Sequence, residues 1–130
     1  MRAVAVLLAL AAPAAAQEAR PVPGYFVDAA MDLTAANALA VACSRLSVDP
    51  VAASARSADV IGRLEADGFD PADGGAGMAD PTEIFVARRA AFLEKHGLND
   101  AAPEDAVCTA GRAEIAEGTG IGALLLEVAP

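Results

Sequence analysis

Tryptophan is missing from this sequence of 130 residues, tyrosine occurs once and phenylalanine four times. Apolar residues make up 55% of the chain, but much of that share is alanine. Large side chains for a core are therefore scarce, and a core built from them is thin enough to gain from a crosslink. Basic residues are also few, nine Lys and Arg against eighteen Asp and Glu, for a formal charge of −9. The longest basic cluster is Arg88-Arg89. Nucleic acid and anionic lipid both need a basic patch, so neither is an expected partner. With one histidine, His96, any general base or zinc site of the usual kind would have to use it. There is no C-x-x-C pair and no nucleophile-elbow motif. No apolar run approaches the ~20 residues that span a bilayer.

What the sequence does have begins at its N-terminus. Arg2 precedes an apolar run, Ala3 to Ala12, which Pro13 ends and Ala14-Ala15-Ala16 follows. That three-part pattern predicts a cleavable signal peptide over residues 1–16 and a periplasmic or secreted mature chain starting at Gln17. No cysteine follows the cleavage region to carry a lipid. Loss of Arg2 takes the formal charge of the mature chain to −10. In an exported chain the two cysteines, Cys43 and Cys108, predict one intramolecular disulfide. A loop of that length contributes roughly 4 kcal/mol in the chain-entropy account. A redox pair or a metal site fits the two thiols less well, since no histidine lies near either in sequence.

Along the mature chain, residues 17–27 read as an extended lead-in with Pro21, Pro23 and Gly24. A single helical domain is expected over 28–130. Met31, Ala35, Leu39, Cys43 and Leu46 recur at helical spacing and predict a first helix from about Asp28 or Asp32 to Leu46. Asp49-Pro50 starts a second, with Val51, Ala55, Ala58, Ile61 and Leu64 facing inward and Gly68 as its stop. Phe69 to Ala79 is a glycine-rich loop. Asp80-Pro81-Thr82-Glu83 reads as a capping box for a third helix ending at His96. Its apolar side is Ile84, Phe85, Ala91 and Phe92, and Gly97-Leu98 fits a Schellman end. A fourth helix starts near Pro103 with Val107, Cys108, Gly111 and Ile115 on one face. Gly111 in a helix interior costs about 1 kcal/mol relative to Ala, so it signals close approach by another helix. Gly118 ends this helix, and Thr119 caps a short C-terminal turn carrying Ile121 and Leu124 to Leu126. No strand alternation is visible. The expected architecture is all-α: about four helices, a short C-terminal helix and one disulfide.

Val107 to Leu126 reads V-C-T-A-G-R-A-E-I-A-E-G-T-G-I-G-A-L-L-L. This resembles the C-terminal signature of an uncharacterised family of small exported bacterial proteins, in which a Cys is followed by G-R-A-E-I-A, a Gly, a Ser or Thr, and I-G-x-L-L. Cys43 corresponds to that family's second cysteine. The resemblance implies a domain of unknown function and supports the disulfide and the helical class more than any activity.

Arg112 and Glu114 are the polar centre of the signature, and with Gly111 they are the candidate binding or packing residues. Two positions apart on a helix, Arg112 and Glu114 face different ways and do not pair with each other. They serve either to recognise a ligand or to fix another element, and the second is the commoner use of such groups. Gly118-Thr119-Gly120-Ile121-Gly122 has the look of a phosphate cradle but follows no strand, so a helix break accounts for it better. Asp67, Asp70, Asp73 and Asp80 around the loop lack EF-hand spacing for calcium. His96 sits where a histidine complements the helix dipole. No catalytic residue, metal ligand or cofactor is expected. The expectation is a non-catalytic periplasmic interaction or accessory protein, binding an envelope protein or complex through Ile121 to Val128. Two rivals stand beside it: a ligand- or calcium-binding protein using the acidic loop, and an enzyme with His96 as base.

Overall fold

The computed structural model describes residues 18–129. The expected signal peptide and its cleavage site lie outside the described residues. The described residues form four α-helices: α1 (Gly24–Ala42), α2 (Pro50–Ala66), α3 (Thr82–His96) and α4 (Glu104–Glu117). Two three-residue strands, β1 (Leu46–Val48) and β2 (Leu125–Glu127), pair antiparallel. The helical class expected from the sequence holds, with this small sheet as an addition.

α1 starts earlier than its apolar spacing predicts. Pro23 occupies the N-cap position, and its carbonyl accepts from Phe26 and Val27 at 3.1 and 3.2 Å. The helix stops before Cys43, where the backbone turns extended, so Leu46 belongs to β1 and not to the helix. Apolar residues cover most of α1, which leaves the 3.6-residue period with little contrast from which to read a boundary. The lead-in is tied down before Pro23. Arg20 bridges to Met78 of the glycine-rich loop, and its guanidinium lies 3.9 Å from the Phe69 ring centre.

Asp49 caps α2 as expected, its Oδ1 accepting from Val51 and Ala52 at 2.9 and 3.2 Å. The inward face expected for α2 is wrong in phase. Val51 is 76% exposed and Ile61 46%, while only Leu64 is buried. Ala52 and Ala53 pack toward the core in their place. The capping box at α3 also fails. Asp80 accepts from Thr82 alone, from its amide at 2.9 Å and its hydroxyl at 2.6 Å, and Pro81 holds the N-cap position with no side-chain cap. At the other end the Schellman geometry forms, with Gly97 at φ 62° and the Leu98 amide on the Leu93 carbonyl at 2.8 Å.

Cys43 and Cys108 form the disulfide, with Cα atoms 5.2 Å apart. It joins the end of α1 to the middle of α4, and both cysteines are fully buried. Around them pack Ala36 and Leu39 of α1, Leu46 of β1, Val107 and Ala110 of α4, and Leu124 and Leu125. The expected C-terminal helix is only a 3-10 turn, Gly122–Leu124, which leads into β2. Pairing with β1 gives the last leucines a backbone partner that a free helical turn would lack.

Candidate functional site

Glu114 is the one buried charged residue among the described residues, at 2% exposure. α4 aims it toward the end of α3. Its Oε1 accepts from Lys95 Nζ at 2.8 Å and from His96 Nε2 at 2.6 Å. Its Oε2 accepts from the Thr119 hydroxyl. That hydroxyl also accepts from the Gly122 amide at 3.0 Å. Burial pushes the Glu114 carboxyl up, but the hydrogen bonds from Lys95, Thr119 and His96 outweigh it and leave it below the ordinary carboxylate range. Lys95 is raised in turn by its bonds to Glu114 and Glu117. A carboxylate can only accept, so His96 Nε2 must carry the proton between them. The Phe92 ring packs on the imidazole, 4.9 Å between centres.

Tight backbone contacts surround this cluster. Gly118 ends α4 at φ 66°, a conformation that favours glycine. Gly122 lies against the Glu114 carbonyl, so a Cβ there would strike backbone. Gly120 lies against the carboxylate of Asp32, which pairs with Arg56 at 2.7 Å. Burial raises the Asp32 carboxyl despite that arginine. With both Glu114 oxygens occupied by donors, the cluster holds α3, α4 and the C-terminal loop together.

A second feature lies on the same side of α3, toward its N-terminal end, and shares Phe92 with the cluster. A groove of about 580 Å³ runs between α1 and α3, lined among others by Phe26 and Met31 of α1 and by Phe85, Val86, Phe92 and Leu93 of α3. Arg89 is its only charged lining residue. No residue of α3 is buried, and Val86 is 64% exposed. A helix with an apolar side normally covers it against its own domain. Here that side is left partly open.

A profile of the family of unknown function DUF5333 matches residues 21–126. The chain belongs to this family. No curated protein and no solved structure matches it. In this DUF5333 protein, the candidate residues Gly111, Arg112 and Glu114 are not brought together into one site. Arg112 is exposed and pairs through Nε with Glu127 of β2 at 3.0 Å. Gly111 is buried against Leu46, so the close neighbour is a strand and not another helix. Each of the three joins α4 to a different element, which is how packing residues behave.

Of the other sequence-derived candidates, His96 joins Glu114 and the rest are dispersed. His96 binds Glu114 and does not cap the carbonyls of α3. Asp67 accepts from the Tyr25 hydroxyl at 2.7 Å, Asp70 from the Ala72 amide at 2.9 Å, and Asp80 from Thr82. Leu124 and Leu125, expected in a contact surface, are core residues; only Leu126 and Val128 of that segment's large apolar side chains are exposed. Thr119 is five residues from Glu114, but its partners on α3, His96 and Lys95, are eighteen and nineteen residues away in sequence, a distance over which no local spacing rule operates.

Proposed function

We propose that this DUF5333 protein is exported and that its mature form is a small non-catalytic interaction module of the cell envelope. The observation that carries the reading is the open apolar side of α3 beside α1. Exposed apolar surface on a small acidic domain is disfavoured unless something covers it. The N-terminal pattern over residues 1–16 and a buried disulfide both suit an oxidising compartment. The C-terminal signature from Val107 to Leu126 serves to hold the scaffold: Glu114, Thr119 and Gly122 lock the loop, and Arg112 fastens β2.

Photocrosslinking in the producing cells tests this. A benzophenone side chain at Val86 is expected to give a discrete protein adduct in the envelope fraction. The same group at Val51, exposed on α2 away from the groove, is expected to give none. Equal labelling at the two positions, or none at either, contradicts the reading.

A further inference from the structure

We infer that the partner of the α1–α3 groove is an amphipathic helix whose apolar stripe is flanked by acidic residues; this rests on the interaction reading above. The lining residues of α1 recur at four-residue spacing, Phe26, Ala30, Thr34 and Ala38. On α3, Phe85, Arg89 and Phe92 recur at four and three. Both walls are therefore helical ridges, and the gap between two ridges is the shape that a third helix fills. From Phe26 to Ala38 the wall runs about 18 Å at 1.5 Å per residue, so it fits roughly three turns of a partner helix. Small residues predominate on the α1 wall and large ones on the α3 wall, so an incoming helix can seat closely on one side and be gripped on the other.

Charge selects the sequence of that helix. The whole chain carries twice as many acidic as basic residues, yet the sole charge lining the groove is Arg89. Its present partner is Asp100, 2.8 Å away and 88% exposed. Such an exposed pair holds weakly, so a carboxylate arriving on a partner helix can exchange for it. A basic flank would meet Arg89 as a like charge and is rejected.

The test uses the purified, disulfide-bonded protein and three probes: a roughly three-turn helical peptide with a Leu and Phe stripe flanked by Glu, the same peptide flanked by Lys, and dodecanoate. Titration followed by amide chemical shifts is expected to show the Glu-flanked peptide binding at least about tenfold tighter than the Lys-flanked one, with shifts along α1 and α3. Arg89→Glu, checked for folding by circular dichroism, is expected to reverse that order, and Val86→Lys to weaken both peptides. Equal binding of the two peptides, unchanged by Arg89→Glu, overturns the proposal. So does dodecanoate binding where neither peptide binds, which makes the groove a lipid site. If neither peptide binds while the Val86 adduct still forms in cells, the helix inference fails and the interaction reading stands. If the adduct is also missing, both fail.

Discussion

Glu114 is where a single atom group decides most. Replacing it with Ala leaves Lys95, His96 and Thr119 facing a gap. Losing one partner of a buried charge pair costs about 3–5 kcal/mol, and the half-exposed Lys95 brings the expected loss to the lower end, about 3 kcal/mol by urea denaturation. The sign of the pH dependence follows from the lowered carboxyl. The unfolded chain takes up a proton on Glu114 before the folded one does, so its contribution is complete above about pH 4.5 and fades as pH falls through the folded value. Asp32 works the other way, since burial raises it and the folded state holds its proton longer. The difference between wild type and Glu114→Gln isolates the first effect: the wild type is expected to lose its advantage below about pH 4.5. An advantage that grows on acidification contradicts the assigned hydrogen bonds.

At the scale of elements, two glycines report on how closely the pieces approach. Gly122→Ala places a methyl group on the Glu114 carbonyl, which belongs to a helix and cannot yield. Gly111→Ala meets the Leu46 side chain, which can change rotamer, and it recovers about 1 kcal/mol of helix propensity. Overpacking costs about 1–3 kcal/mol, so Gly122→Ala is expected at the upper end and Gly111→Ala near 1 kcal/mol or below, measured as shifts in the urea midpoint. The helices themselves were legible. Asp49-Pro50, Gly97-Leu98 and Gly118 mark real ends because capping is local chemistry. The face of the first helix was legible too, since Ala35, Leu39, Cys43 and Leu46 are buried; that of α2 was not, because its large Val51 and Ile61 stay exposed while the small Ala52 and Ala53 face the core. β1 and β2 escaped because a three-residue pair formed across most of the chain has no periodicity to read. Of the signature, Gly111, Arg112 and Glu114 were visible as special, but their separate partners in β1, β2 and α3 exist only once the chain is folded.

For the molecule as a whole, the disulfide and the groove do different work. Cys43 and Cys108 tie α1 to α4 across a sequence separation of 65. Replacing both with Ala is expected to remove roughly 4 kcal/mol, which calorimetry reads as a clear fall in Tm. The groove contributes little to stability because α3 buries no residue of its own. Exposed substitutions there cost within about 0.5 kcal/mol. The account thus divides the protein into a scaffold held by its C-terminal signature and a face that meets a partner. One paired measurement tests that division most directly: the stability and the in-cell adduct yield of Val86→Lys and Glu114→Gln, each carrying a benzophenone at Phe85. The account predicts that Val86→Lys keeps its urea midpoint and loses the adduct, while Glu114→Gln loses stability and keeps the adduct wherever it is folded. The reverse result, with Glu114→Gln abolishing the adduct at full stability and Val86→Lys leaving it intact, would place the functional site at the signature and contradict the account.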